Sequence, residues 1–208
     1  MQFETFAPLD QLEIVTHAFT LRTSEDTKAD EFQQHSINSL GFSQFATAEQ
    51  THGDGVAVVE VVHSTALLSC FPQVDSLITR LRNLPLVIRC ADCAAVYIAD
   101  RRTHAVGLIH SGKKGTIGNI VGNTLRRMQI EFGTDPQDCL ALISPSIGPC
   151  HYEMDIWDGI EQQLREAGVR DIHNPRICTA CHLDRYFSYR AEKGKTGRMF
   201  AVLALKPE

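Results

Sequence analysis

No apolar run in this sequence approaches the roughly 20 residues that a membrane-spanning helix needs. The opening segment, MQFETFAPLD, has neither a basic start nor an apolar core, which argues against a signal peptide and predicts a cytoplasmic protein. Positive charge is also scarce: 20 Lys and Arg stand against 25 Asp and Glu, for a net charge of −5, and no Lys/Arg run occurs. That balance speaks against nucleic acid and against a membrane surface as partners. There is no internal repeat and no low-complexity segment. What is present is 208 residues at 43% hydrophobic content, enough for one domain, 1–208, with a substantial core. The seven cysteines are an odd number and, in a reducing compartment, read as thiols, core residues or ligands rather than as a disulfide frame.

Hydrophobic spacing gives the organisation. Leu12–Phe19 reads as a strand. A polar break follows, and then Phe32, Ser36, Ile37 and Leu40 recur at helical spacing, with Asp30 as N-cap and Gly41 as stop. Gly55–Val62 is β-rich. PLVIRC, AAVYIAD and AVGLIH are short apolar runs rich in Val and Ile, which predicts buried strands. From Thr116 the period changes, and Ile117, Ile120, Val121, Leu125 and Met128 fall on one helical face. A further helix is predicted from about Asp155 to Ala167, ending at Gly168, and a strand over Gly197–Leu205. The elements mix without a regular βαβ rhythm. This predicts a layered α+β domain, a mixed sheet core flanked by helices, over a doubly wound parallel sheet.

Three chemistry-bearing residues sit where apolar strands meet loops: His52, Cys93 and His110. Two imidazoles and a thiolate suit zinc, and three protein ligands leave a fourth position open. Each also has a plain reading, since cysteine is among the most buried residue types and a histidine at a strand end is commonly a boundary residue. Their spacing alone makes no local metal motif.

Five segments in order, EQTHGDGV, QVDSLITRLRNLPLVIRCADCAAVYIAD, AVGLIHSGKKG, ISPSIGPCHYEM and CTACHLDRYFSYRAEKGKTGRMFAVLAL, resemble the laccase-domain (YfiH-like) family over about residues 45–208. That family was once labelled polyphenol oxidase and is now associated with purine nucleoside phosphorylase activity. The resemblance implies a zinc ion held by His52, Cys93 and His110. It implies phosphorolysis of adenosine, inosine and methylthioadenosine, with adenosine deamination as a companion activity, so purine nucleoside and phosphate would be the partners. Family motifs also map onto Arg22 in FTLR and onto Tyr189 and Arg190 in YFSYR. Arg22, Arg190 and the loop of Ser111, Lys113 and Lys114 become candidates for anion binding. Asp92, beside Cys93, becomes a candidate orienter or proton carrier. The chain departs from the family in three places. Lys113-Lys114 replaces Trp-Arg, which keeps charge but loses the planar fork. Gln33-Gln34 replaces Asn-Arg, and the N-terminal part is shortened.

Two rival functions stand beside this one. Copper at the same three residues would support polyphenol oxidation, although none of the nine histidines forms a His-x-His pair. A degenerate domain that binds a nucleoside or a partner without turnover is the other. The expected assembly is a monomer or a small homo-oligomer. Two motifs distract. CTACH, Cys178–His182, fits the c-type haem pattern, but attachment of that kind goes with export; a zinc on Cys178, Cys181 and His182 would want a fourth ligand. In HSGKKGT, Gly112 and Gly115 are too close together for a P-loop.

Overall fold

The computed structural model describes residues 2–23, 29–60 and 68–207, with the backbone alone for 29–32. Along the chain come strand β1 (Phe3–Glu4), helix α1 (Ala7–Asp10), β2 (Val15–Thr20), α2 (Ala29–Ser39), β3 (Phe45–Ala48), β4 (Val56–Val58), β5 (Leu68–Phe71), β6 (Ser76–Thr79) and β7 (Leu86–Cys90). Then follow β8 (Ala94–Asp100), β9 (Val106–Ser111), α3 (Lys113–Ile117), α4 (Ile120–Phe132), β10 (Cys139–Ile143), α5 (Ile156–Glu166), β11 (Asp171–His173) and β12 (Met199–Leu205). The strands form two six-stranded mixed sheets, ordered β1-β2-β12-β7-β3-β5 and β11-β10-β8-β9-β6-β4. This is the layered α+β arrangement that the sequence predicts, with two sheets in place of one sheet core.

The layering explains why the central strands read as continuous apolar runs. One face of each sheet meets the other sheet: Phe19, Leu86, Ile88 and Leu203 pack with Leu77, Tyr97, Leu108 and Leu142. The Tyr97 hydroxyl crosses this layer to donate to the Ala18 carbonyl at 2.9 Å. The opposite face of the second sheet, with Val96, Ile98, Ile109 and Ala141, is covered by Leu125 and Met128 of α4 and Ile160 and Leu164 of α5. On the outer face of the first sheet, Val87, Phe200 and Val202 pack with Ile37 of α2. Strands covered on both faces lose the alternation of a half-exposed sheet.

Several boundaries differ from the sequence reading. β2 begins at Val15 because Gln11–Ile14 turns, with Glu13 at φ 56°. Asp30 lies inside α2 rather than capping it, while Gly41 ends the turn after it at φ 87°. Of the Gly55–Val62 segment only Val56–Val58 is a strand, and residues 61 and 62 lie outside the described residues. The helix predicted from Thr116 is two helices. Gly118 and Asn119 interrupt it, Asn119 adopts the left-handed conformation at φ 58°, and its side chain accepts from the Gly122 N–H. The break turns Ile117 out to 68% exposure and leaves Ile120, Val121, Leu125 and Met128 as the buried face. α5 matches its prediction, with Asp155 capping at the Asp158 N–H and Gly168 at φ 101°.

Candidate metal centre

Pairing of β8 and β9 brings two of the three candidate ligands together. His110 sits opposite Ala95, and Ala94 opposite Ser111. Cys93 is two residues before Ala95 and, by the period of two, is directed to the same face as His110. Gly112 follows the end of β9 beside Cys93, and a Cβ there would overlap the Cys93 sulfur. Glycine is required at this point so that the two chains can approach closely.

His52 arrives from the loop between β3 and β4, fixed by a residue to which the sequence reading gave no role. Asp75, fully buried, accepts from the backbone N–H groups of Thr51 (3.0 Å), His52 (2.9 Å) and Gly53 (2.8 Å) and from the Thr51 hydroxyl (3.1 Å). The same carboxylate meets His110 Nδ1 at 2.8 Å. One side chain thus sets the loop that carries His52, at φ 61°, and orients the ring of His110. The signal was present in the QVD of the second matching segment, but a single Asp before a strand reads as an ordinary turn residue.

The ligand atoms of His52, Cys93 and His110 lie within 4.8 Å of one another, and the two imidazoles meet edge to face at 5.0 Å. With Nδ1 of His110 held by Asp75, its Nε2 is left for a metal. Burial alone would push the Cys93 thiol up, but hydrogen bonds and charge from His110 and His52 outweigh it and bring the thiol down to about 6. Burial pulls His110 down, whereas Asp75 and Cys93 hold its proton and raise it to about 9. A thiolate poised beside two imidazoles is a donor set that could hold a borderline-soft divalent ion.

These residues, His110 buried and His52 exposed, line a cleft of about 1630 Å³. Eight Lys or Arg residues line it against three acids, a local positive excess within an acidic chain. Arg22, Asp92, Lys113, Lys114, Tyr189 and Arg190 are all in this lining. Lys113 pairs with Glu153 at 3.0 Å, and Arg190 reaches the same carboxylate at 3.1 Å while stacking over Tyr152. Arg22 pairs with Glu192 at 2.7 Å and lies over Phe187. Ser111 is not in the lining: it is fully buried and its hydroxyl bonds Thr116 at 3.0 Å. Asp92 is buried and accepts from the Thr179 hydroxyl at 2.7 Å and the Arg190 N–H at 2.8 Å, which ties three segments together beside Cys93. Sequence reading also missed Tyr152 and Arg198 of this cleft, because cations and aromatics scattered over the chain leave no run to notice.

The glycines after His110 serve packing. A Cβ on Gly115 would lie 3.0 Å from the Gly53 carbonyl oxygen, and one on Gly118 would lie 3.1 Å from Asp54 Cβ. α3 and its C-terminal end therefore press against the loop of His52.

A purine nucleoside phosphorylase of Bacteroides thetaiotaomicron is 33% identical over 164 residues, 64% of this chain and 61% of that protein, so the match spans about three fifths of its length. Purine nucleoside phosphorylase YlmD of Geobacillus stearothermophilus is 27% identical over 79% of this chain and 73% of its own length. Among solved structures, YlmD of G. stearothermophilus superposes with a TM-score of 0.87 at 23% identity, covering 99% of both chains. The Bacillus licheniformis hypothetical protein YfiH gives 0.84 at 25% identity, over 98% of this chain and 99% of that one. The family model described as multi-copper polyphenol oxidoreductase laccase matches residues 18–155 and 151–206. On that match, with the same fold in its structural neighbours, the chain belongs to the multi-copper polyphenol oxidoreductase laccase family.

Proposed function

We propose that this chain, acting as one domain, is a zinc-dependent purine nucleoside phosphorylase that accepts adenosine, inosine and methylthioadenosine and has adenosine deamination as a companion activity. The observation that carries the reading is the convergence of His52, Cys93 and His110 in the lining of a cleft rich in cations. The names of its relatives, purine nucleoside phosphorylases, support the phosphorylase part of the reading.

Phosphorolysis breaks the C1′–N bond of a nucleoside, joins C1′ to a phosphate oxygen and returns a proton to the departing base. Two charged demands follow: an anion must be held beside the sugar, and the base must leave protonated. Arg190 together with Lys113 and Lys114 of α3 line the cleft and are the residues proposed to hold phosphate; Arg22 adds charge to the same lining. Glu153, which pairs with Lys113 and Arg190, keeps both side chains extended along the cleft until an anion competes for them. Tyr189 and Tyr152 also line the cleft and are the residues proposed to pack on a purine. Asp92 acts by position, holding the Arg190 backbone and the Thr179 turn against Cys93. Zinc bound by the three ligands would supply Lewis acidity in the cleft. Zinc is preferred to copper because neither reaction transfers electrons.

Zinc-loaded protein incubated with inosine and phosphate should release hypoxanthine and a sugar phosphate, and adenosine should give adenine together with some inosine. Absence of base release from all three nucleosides would overturn the proposal. Loss of turnover in Cys93→Ser, with the fold retained by circular dichroism, ties the activity to this centre.

A further inference from the structure

A second group of ligating side chains, apart from the first, is formed by Cys150, His151, Cys178 and Cys181. We propose that these four residues are a closed tetrahedral zinc site with a structural role. The CxxC pair comes from the turn Thr179–Cys181 and the residue before it, and the other two ligands come from the turn that precedes α5. His182, adjacent in sequence, is not in the group; His151 takes the place that CTACH assigned to it.

All four ligand atoms lie within 4.8 Å of one another, and four of the six separations fit the edges of a zinc tetrahedron. Sulfur at about 2.3 Å and nitrogen at about 2.0–2.1 Å from a central ion place S···S edges near ~3.8 Å and S···N edges near ~3.6 Å. Cys150 Sγ and Cys181 Sγ lie 3.6 Å apart. His151 Nδ1 lies 3.3 Å from Cys150 Sγ, 3.7 Å from Cys178 Sγ and 3.5 Å from Cys181 Sγ. A disulfide would use two sulfurs and leave the third and the imidazole without a reason to converge. The Gly148 N–H donates to Cys178 Sγ at 3.3 Å. A backbone donor of this kind favours a thiolate over a thiol. Four protein ligands leave no open position, which marks a structural rather than a catalytic site.

The site would staple together two turns that build the cleft. Cys178 is followed by Thr179, whose hydroxyl holds Asp92, and His151 by Tyr152 and Glu153, which hold Arg190 and Lys113. Loss of the ion would release both turns while leaving His52, Cys93 and His110 in place.

Metal content measured on protein purified under reducing conditions from zinc-supplemented cells tests this directly. Wild type should carry two zinc ions per chain and Cys93→Ser one. Adding Cys178→Ser and Cys181→Ser to the latter should remove the remaining ion. Should that triple variant fail to fold, His151→Cys, made in the Cys93→Ser chain, retains four donors and should keep its ion. Cobalt loaded into Cys93→Ser should show tetrahedral visible bands with the intense near-ultraviolet charge transfer of several thiolates. Folded Cys93→Ser with no bound metal, or a disulfide among Cys150, Cys178 and Cys181 in fresh wild type, would overturn the proposal. One ion in both wild type and Cys93→Ser would instead support it and count against metal at the first centre.

Discussion

A carboxylate that accepts three backbone N–H bonds, a hydroxyl and an imidazole is costly to alter. Asp75→Asn keeps the size of Asp75 but turns one acceptor into a donor against N–H groups. Chelator competition should show metal affinity at the first centre reduced by roughly 10–100-fold, the usual effect of losing a ligand's orienting partner; unchanged affinity would show that His110 is oriented without it. Cys93 offers a second test at this scale. His110 and His52 bring its thiol down to about 6, against about 8.5 for an ordinary cysteine. The thiolate is the reactive form, so alkylation should rise with pH through about 6 and level off by neutrality. Peptide mapping separates it from Cys150 and Cys181, and added zinc should suppress it. A rise centred near 8.5 would show that the histidines do not stabilise the thiolate. The sequence singles out all three candidate ligands, because Cys and His at strand ends are conspicuous, while their joining in one site came from the family resemblance. It missed Asp75 because a carboxylate that acts through hydrogen bonds looks like any turn residue.

Elements were legible where burial was complete and obscure where the backbone broke a rule. β8, β9 and β12 are buried along their whole lengths and mostly apolar, and were read with boundaries near the observed ones. β3, β5 and β11 are three or four residues long and carry no pattern that a sequence can show. The join between α3 and α4 was misread because Ile117 continues the helical spacing, and only the left-handed Asn119 stops the helix. That residue holds its cap bond at the expense of backbone strain. Asn119→Ala keeps the strain and loses the bond, which should cost about 1–2 kcal/mol. Asn119→Gly loses the bond but relieves the strain, and should remain within several tenths of a kcal/mol of wild type. Urea denaturation resolves the two, and equal losses would mean that the αL conformation is not the determinant.

At the scale of the whole molecule, charge is divided unevenly. The chain is acidic, yet its cleft is lined by eight cations and three acids. No run of Lys or Arg announces this, since Arg22, Arg89, Lys113 and Arg198 come from distant segments that the two sheets bring together. The field they create is screened over about 10 Å at 0.1 M salt. Raising potassium chloride from about 50 to about 500 mM should therefore raise the KM for phosphate several-fold and leave the KM for the nucleoside nearly unchanged. Equal effects on both would place the anion outside this cleft.

β12 joins β2 to β7, and among the described residues nothing else bonds those two halves of the first sheet. During translation, at roughly 5–20 residues per second, β2 leaves the ribosome on the order of ten seconds or more before its partner exists. Throughout that interval its backbone edge and apolar residues stand open, while β6, β8, β9 and β10 can already pair with one another. The nascent chain thus gains a nearly complete second sheet, and the candidate ligands His52, Cys93 and His110, well before its first sheet can close. Chaperone dependence and the choice between folding and aggregation should accordingly be governed by the arrival of Met199–Leu205.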